Sequence, residues 1–411
     1  MNVRHYGVVT AAYWAFTLTD GALRLLVLLH FHQLGYTPIQ LASLFLLYEF
    51  FGVVTNYVGG WLAARTGVRT TLIGGMALQV AALAMLAALD PGWPRAWSVA
   101  YVMVCQALSG IAKDLTKMSA KSAIKALVPP GDPAGLFKWV ALLTGSKNAL
   151  KGIGFFVGGF LLAVAGFRTA LVMMAGILTV ILGGVLLLLP PGIGRPKRKP
   201  PFTAVTSTSA GINRLSAARV FLFAGRDVWF VVGVPLFLAT TLGWDFMRVG
   251  GFLALWVIGY GVIQGAAPVL LRAVLGRAAP GHQAAGSLGL ALGGMTALMP
   301  LALHAGWPVP GVILGGLALF GIIFALNSSV HSYLVLEYAA TDRVSMDVGF
   351  YYMANAAGRL FGTLLSGVTY QWGGLPAALW TAAVLGLMAG AIGWTLPPAQ
   401  MHVGAAAIGD E

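Results

Sequence analysis

Charged residues are the scarcest class in this chain. Only 9% of its 411 residues are Asp, Glu, Lys or Arg, against roughly 25% in an ordinary soluble domain, and 58% are hydrophobic. That balance cannot supply the polar surface of a water-soluble fold, so the surrounding solvent must be lipid. Cysteine is nearly missing. Cys105 stands alone, which excludes an internal disulfide and a cysteine-built zinc or iron–sulfur site. Acids are few as well, 12 against 25 Lys and Arg, giving a net charge of +13. In a soluble protein that excess would suggest nucleic acid. Here the cations are distributed among apolar runs, and no nucleic-acid partner is expected. His30 and His32 lack a third ligand, so neither a metal nor a cofactor is expected.

What the chain has in quantity is long apolar runs. A hydrocarbon core of ~30 Å takes about 20 helical residues to cross. Twelve runs qualify, near 7–31, 40–63, 71–89, 98–120, 137–163, 167–190, 216–241, 247–270, 285–304, 309–335, 345–370 and 374–396. They are continuously apolar, whereas transmembrane β-strands alternate apolar and polar positions. The fold class is therefore all-α and integral to the membrane, with twelve transmembrane helices. Asp20 and Arg24 interrupt the first run and no small-residue cleavage site follows, so it is read as span 1 and not as a cleaved signal.

Cations gather in alternate connections. Arg4, Arg65, Arg69, Lys138, Arg195, Lys197, Arg198, Lys199, Arg214, Arg219, Arg272, Arg277 and Arg343 fall at the N-terminus or in even-to-odd connections. The opposite loops hold only Arg95, Arg168 and Arg248. The positive-inside rule then puts both termini of a multi-pass membrane protein in the cytoplasm. The longest connection, PPGIGRPKRKPPFTAVTSTSAGINRLS, is basic and rich in Pro, Ser and Thr, and it divides six spans from six. The expected organisation is an N-terminal six-helix bundle over 1–190, a cytoplasmic linker over 191–216, a C-terminal bundle over 217–396 and a cytoplasmic tail over 397–411. Leu34-Gly35-Tyr36, Arg65 and Asp20 recur about 207 residues later as Leu242-Gly243-Trp244, Arg272 and Asp227. Two parallel six-helix repeats with a site between them are expected.

The connection between spans 2 and 3 reads Gly60-Trp-Leu-Ala-Ala64-Arg65-Thr-Gly67-Val-Arg69 and resembles the major facilitator signature GxxxDRxGRR, with Ala64 in place of Asp. Span 4 has Gln106, Ser109 and Gly110 where that superfamily usually has Arg, Gln and Gly. Gly154-Phe155 with Gly158-Gly159 resembles the antiporter pattern GPxxGG. The resemblance implies the major facilitator fold and a gating role for Arg65 and Arg69. Longer strings resemble the organoarsenical efflux transporters called ArsJ nearly end to end. They are TAAYWAFTLTDGALRLLVLLHFHQLGYTP, QALSGIAKDLTKMSAKSAIK, LFKWVALLTGSKNALKGIGFF and FAGRDVWFVVGVPLF. What that family implies is export of 1-arseno-3-phosphoglycerate and hence arsenate resistance. This unstable acyl arsenate forms when a glyceraldehyde-3-phosphate dehydrogenase accepts arsenate in place of phosphate, which makes that dehydrogenase a metabolic partner.

The intramembrane charges can be read independently. A charge at the bilayer centre costs about 2.5–3.5 kcal/mol by insertion scales, so each is expected to face a cavity or a partner. Lys113, Lys117, Lys121 and Lys125 recur every fourth residue along span 4 and its extension. Like charges at this spacing repel, and an anion held between the ammonium groups would relieve them. Lys147 and Lys151 lie one turn apart on span 5, with Lys147 about 16 Å deep at 1.5 Å per residue. Lys121, Lys125 and Lys138 are read as cytoplasmic anchors, and Lys113, Lys117, Lys147 and Lys151 as oxyanion ligands. Arg226 on span 7 adds a planar fork suited to phosphate or arsenate oxygens. Its neighbour Asp227 points elsewhere on the helix, so pairing within the helix is not expected. Arg24 has two readings, a local partner of Asp20 or a ligand. Arg359 is likewise a ligand or a partner of Asp347.

Against these seven cations stand Asp20, Glu49, Asp114, Asp227 and Asp347, a surplus of two positive charges. The cavity is expected to prefer anions. Asp20, and after it Glu49, are candidates for proton coupling. Asn327, Ser328, Ser329, His331 and Ser332 on span 10 are read either as neutral hydrogen-bonding groups for substrate or as contacts between helices. The expected protein is a monomeric secondary transporter, not an enzyme, moving a small, multiply anionic substrate between two rocking halves. Two alternatives stand beside it. One is an organophosphate or phosphate antiporter with the same basic cavity. The other is a membrane enzyme acting on anionic lipid headgroups, for which neither a Ser/His/Asp arrangement nor a metal cluster is evident.

Overall fold

The structure is a computed structural model and describes residues 3–127, 133–190, 209–275, 282–339 and 344–398. Among them every regular element is a helix. In chain order these are α1 (Val3–Gln33), α2 (Pro38–Ser43), α3 (Leu46–Thr66), α4 (Val68–Ala87), α5 (Arg95–Leu127), α6 (Pro133–Leu188), α7 (Ala210–Phe230), α8 (Gly233–Thr240), α9 (Phe246–Leu275), α10 (His282–His304), α11 (Val309–Tyr338) and α12 (Val344–Trp394).

These elements do not map one to one onto the expected spans, and the differences are physical. Spans 5 and 6 run together as α6, and spans 11 and 12 as α12. Each turns at glycine, Gly166 (φ 75°) in the first and Gly374 (φ 62°) in the second, a left-handed backbone that side chains disfavour. The apolar stretches involved, Ser146–Leu188 and Asp347–Trp394, have 43 and 48 residues, enough for two crossings each. Nine helical stretches among the described residues are long and apolar enough to cross a membrane. Helix α5 is not one of them, because Lys113, Asp114 and Lys117 interrupt it. With α5 and the two doubled stretches included, each of the twelve expected spans has a helical path.

Spans 2 and 7 are each broken, into α2 and α3 and into α7 and α8. A break at membrane depth frees backbone donors that lipid cannot satisfy. Between α7 and α8, the Ser366 hydroxyl of α12 accepts from Val232 N at 3.1 Å and Gly233 N at 3.4 Å. Thr37 and Gln40 close a capping box ahead of α2, with Pro38 at its first position. The repeated tripeptides end their helices alike, with Gly35 (φ 75°) after α1 and Gly243 (φ 65°) after α8. Of the expected linker, residues 191–208 lie outside the described residues, as do 399–411 of the tail. Span 7 starts earlier than its hydropathy suggests, because Ser209 caps α7 by accepting from Ile212 N at 3.4 Å.

Helices pack through small residues that let backbones approach. Gly21, Gly154 and Gly158 bring α1 and α6 together, and Gly159 rests against Phe246 O of α9. The glycine pattern that resembles an antiporter motif therefore serves packing in this chain. Helix α12 meets α7 at Gly358 and Gly362 and meets α10 at Gly390. The N-terminal and C-terminal sets of helices touch mainly where α6 lies on α9 and where α12 lies on α2 and α3.

A Cβ placed at Gly154 would lie 2.5 Å from Leu18 O and 3.0 Å from Gly21 Cα. Gly154→Val should therefore part α1 from α6 and cost about 1–3 kcal/mol, the usual price of overpacking. The measurement is thermal unfolding in detergent, where the midpoint should fall. Gly176→Val, whose Cβ would meet nothing within 4 Å, serves as the control and should shift it far less.

Candidate functional site

A cavity of about 480 Å³ lies between the two sets of helices, within the usual size range for a small-molecule site. From the N-terminal set, α1 contributes Asp20 and Arg24, α3 contributes Glu49 and Asn56, α5 contributes Lys113, Asp114 and Lys117, and α6 contributes Lys147, Asn148 and Lys151. From the C-terminal set come Arg219, Arg226 and Asp227 of α7, Tyr260 and Gln264 of α9, and Tyr352, Asn355 and Arg359 of α12. Four-residue spacing puts side chains on one helix face, which is how the pairs Asp20/Arg24, Lys113/Lys117 and Lys147/Lys151 reach the same space. All nine residues expected to bind substrate or couple protons line this cavity.

The two expected gating arginines differ. The side chain of Arg65 lies outside the described residues, as do those of Lys121, Lys125 and Lys138. Arg69 is not among the lining residues. It donates from Nε to Leu189 O at 2.7 Å and from Nη2 to Leu186 O at 3.3 Å. A cation there satisfies carbonyls at the C-terminal end of α6.

The charges in the cavity are organised by carboxylates. Glu49 is 1% exposed and accepts from Arg24 Nη1 at 3.0 Å and from Arg359 Nη2 at 2.6 Å. Arg359 Nε reaches Asp227 Oδ2 at 3.3 Å, and Arg226 Nη2 reaches Asp227 Oδ1 at 2.5 Å. One chain of ion pairs thus runs from α1 through α3 and α12 to α7, joining both sets of helices. Three expectations change. Arg24 pairs with Glu49 and not with Asp20, which instead accepts from Tyr48 Oη at 2.7 Å. Arg359 pairs with Glu49 and Asp227 and not with Asp347. Arg226 does pair with its neighbour Asp227, since a long stem lets the guanidinium fold back along the helix.

A second centre forms at Asp114, which is fully buried and accepts from Lys117 Nζ at 2.5 Å and Thr55 Oγ1 at 2.6 Å. Lys117 also donates to Asn56 Oδ1 at 2.8 Å. Part of the expected lysine repulsion is therefore relieved within the protein. Lys113 Nζ sits 4.1 Å from the centroid of the Tyr48 ring, a cation–π contact. Of the polar cluster on α11, Ser332 lines the cavity and Ser328 accepts from Arg219, whereas Asn327 and His331 are fully buried outside the lining. His30 stacks on Phe167 with ring centroids 3.9 Å apart.

Sequence reasoning missed Arg219. It was counted among the cations of the even-to-odd connections, yet it is 5% exposed and lines the cavity. The signal available was position and spacing: Arg219 lies within span 7 as bounded at 216–241, and Arg219, Phe223 and Arg226 share one face of α7. Eight cationic side chains and four carboxylates line the cavity. The formal surplus is four positive charges, twice that expected, and low-dielectric walls focus it.

Twelve helical paths in two sets around a central polar cavity match a known plan. The chain matches the family described as Major Facilitator Superfamily over residues 9–302. It belongs to the Major Facilitator Superfamily. The chain is therefore a secondary transporter, and the reading as a lipid-modifying enzyme falls away. Its fold is similar to a POT family transporter solved with a thioalcohol-conjugated peptide, with a TM-score of 0.76, 13% identity and 95% of each chain covered. It is also similar to a POT family transporter solved with 5-aminolevulinic acid, with a TM-score of 0.75, 14% identity and 95% of each chain covered. A mutant POT peptide transporter solved with sulfate has a TM-score of 0.72 and 16% identity, covering 95% of this chain and 93% of that one. At these identities the likeness is one of fold. Among curated proteins, no sequence match to the chain was found.

Two substitutions separate paired from unpaired charge in this major facilitator cavity. Glu49→Gln strands Arg24 and leaves Arg359 only its 3.3 Å contact with Asp227, and should destabilise the protein by about 3–5 kcal/mol, the cost of removing one partner of a buried pair. Lys151 has no carboxylate within 4.0 Å among the described residues, so Lys151→Ala should leave the thermal midpoint at or above that of the wild type. A midpoint that falls equally in both variants would contradict this division.

Proposed function

We propose that this transporter exports 1-arseno-3-phosphoglycerate, a three-carbon unit with an oxyanion at each end, and so contributes to arsenate resistance. The observation that carries the reading is the surplus of four positive charges in a cavity lined from both sets of helices. Inorganic arsenate is one compact oxyanion, for which one arginine and a lysine pair suffice. Cations on α5 and α6 on one side and on α7 and α12 on the other suit a longer molecule that bridges the two sets as they close. The family resemblance of the lysine-rich strings on α5 and α6 supports the same substrate and supplies the outward direction.

In this reading the protein sits in the bacterial inner membrane with both termini in the cytoplasm, as its basic connections favour, and works as a monomer. An arsenate-accepting glyceraldehyde-3-phosphate dehydrogenase makes the substrate, with no contact between the two proteins required. Asp20 is the coupling site. Protonating Glu49 would break ion pairs to two arginines, whereas Asp20 is bonded to the neutral Tyr48 and protonating it breaks none.

Everted vesicles test the substrate. Radioactive arsenate should accumulate when that dehydrogenase, its nicotinamide cofactor and glyceraldehyde 3-phosphate are supplied, and only poorly without them. Equal accumulation in both conditions would make this a simple arsenate or phosphate carrier instead. In the same vesicles Asp20→Asn should transport at a rate that no longer responds to an imposed pH gradient, and a wild-type response would remove Asp20 from the coupling role.

A further inference from the structure

The positive surplus is not shared evenly among the eight cations. Arg24, Arg226 and Arg359 divide Glu49 and Asp227 between them, and Lys117 holds Asp114. Lys113, Lys151 and Arg219 have no carboxylate within 4.0 Å among the described residues. Two of these three stand on the N-terminal set of helices. Arg219 alone stands on the C-terminal set.

Arg219 is held firmly without being neutralised. Its Nε donates to Asn355 Oδ1 at 2.8 Å and its Nη1 to Ser328 Oγ at 3.1 Å. Its guanidinium carbon lies 4.0 Å from the Phe223 ring centroid and 5.1 Å from that of Tyr351. Two aromatic faces and two neutral acceptors fix the plane of the guanidinium, and none of them brings a negative charge. A charge taken out of water without a counter-charge burdens folding, and the side chain borders the cavity that a substrate would enter. A planar fork preset in this way loses little freedom when it meets an oxyanion.

We infer that Arg219 anchors one oxyanion of the substrate on the C-terminal set of helices, opposite Lys113 and Lys151, while Arg226 and Arg359 serve the ion-pair link between the sets. This rests on the anion-export reading and names, within it, the residue that distinguishes an anion charged at both ends from one charged at a single end.

The test is equilibrium dialysis on the purified full chain with two labelled probes. These are 3-phosphoglycerate, which has an oxyanion at each end, and inorganic phosphate, which has one. Asn355→Asp keeps Arg219 and nearly the same shape, but puts a carboxylate where an amide oxygen now lies 2.8 Å from Nε. It should neutralise the anchor and weaken 3-phosphoglycerate by about tenfold or more, the scale of a charge-assisted hydrogen bond. Phosphate, held by the lysines, should change by less than about twofold on the same scale. Arg219→Gln should reproduce this pattern, and Asn355→Asp decides the matter if that variant does not fold. Unchanged binding of 3-phosphoglycerate to Asn355→Asp, or an equal loss for both anions, would overturn the assignment of Arg219. A wild-type chain that binds neither anion would overturn the export reading and the anchor together.

Discussion

A charge placed in the hydrocarbon core must bring its own counter-charge, and the interior of this transporter is arranged around that requirement. Moving an ion out of water costs several kcal/mol even after relaxation, and a well-placed partner recovers most of it. Arg24, Glu49, Arg359, Asp227 and Arg226 answer with one continuous chain of contacts between 2.5 and 3.3 Å. Three arginines share two carboxylates, so even the most closely paired part of the cavity stays net positive. The chain also crosses from α3 to α12, so any movement that parts these helices must break Glu49 from Arg359. On the proposed reading, an anion entering the cavity would offer the arginine a replacement partner, connecting binding to the freedom of the two sets to move.

The rest of the fold lets such a chain exist. Lipid gives helices no hydrophobic reason to associate, and close backbone contact at Gly21, Gly154 and Gly158 supplies the packing instead. Close packing holds α1 against α6, and with it Asp20 and Arg24 on the same cavity as Lys147 and Lys151. The break between α7 and α8 lies beside the cavity residues Phe230 and Val231, where Ser366 satisfies the freed donors. Irregular backbone at membrane depth is tolerated where another helix satisfies it.

The sequence carried the spans and the membership of the cavity more legibly than the partnerships inside it. Twelve apolar runs were visible because each had to fill about the same bilayer thickness. Lysines at four-residue spacing announced a helix face turned away from lipid. Pairing was harder to read, since spacing reports neighbours on one helix only. Arg24 looked matched to Asp20, four residues away, while its partner Glu49 lies on another helix. Arg219 was hidden for a different reason. Positive-inside reasoning assigns arginines near span ends to the cytoplasm, and this one, though inside span 7 as bounded at 216–241, falls three residues from its start, whereas the helix begins at Ala210 and buries it.

The distribution of charge bears on selectivity as well as on attraction. If the protein exports an anion, as proposed, across a membrane that is negative inside, the potential assists each departing charge by about 2.3 kcal/mol per 100 mV. That drive acts on every anion in proportion to its charge and distinguishes none of them by shape. A cavity that concentrated all its free cations at one point would bind phosphate, arsenate and their esters alike, and the potential would then drain cytoplasmic phosphate. Among the described residues, cations without a carboxylate partner stand on both sets of helices, Lys113 and Lys151 on one and Arg219 on the other, and on the export proposal they would ask a ligand to be charged at two ends before it satisfies both. On that proposal, discrimination against a compact oxyanion would come from a counter-charge that the smaller ligand cannot deliver to the far side, which is costlier to forgo in a low-dielectric cavity than in water.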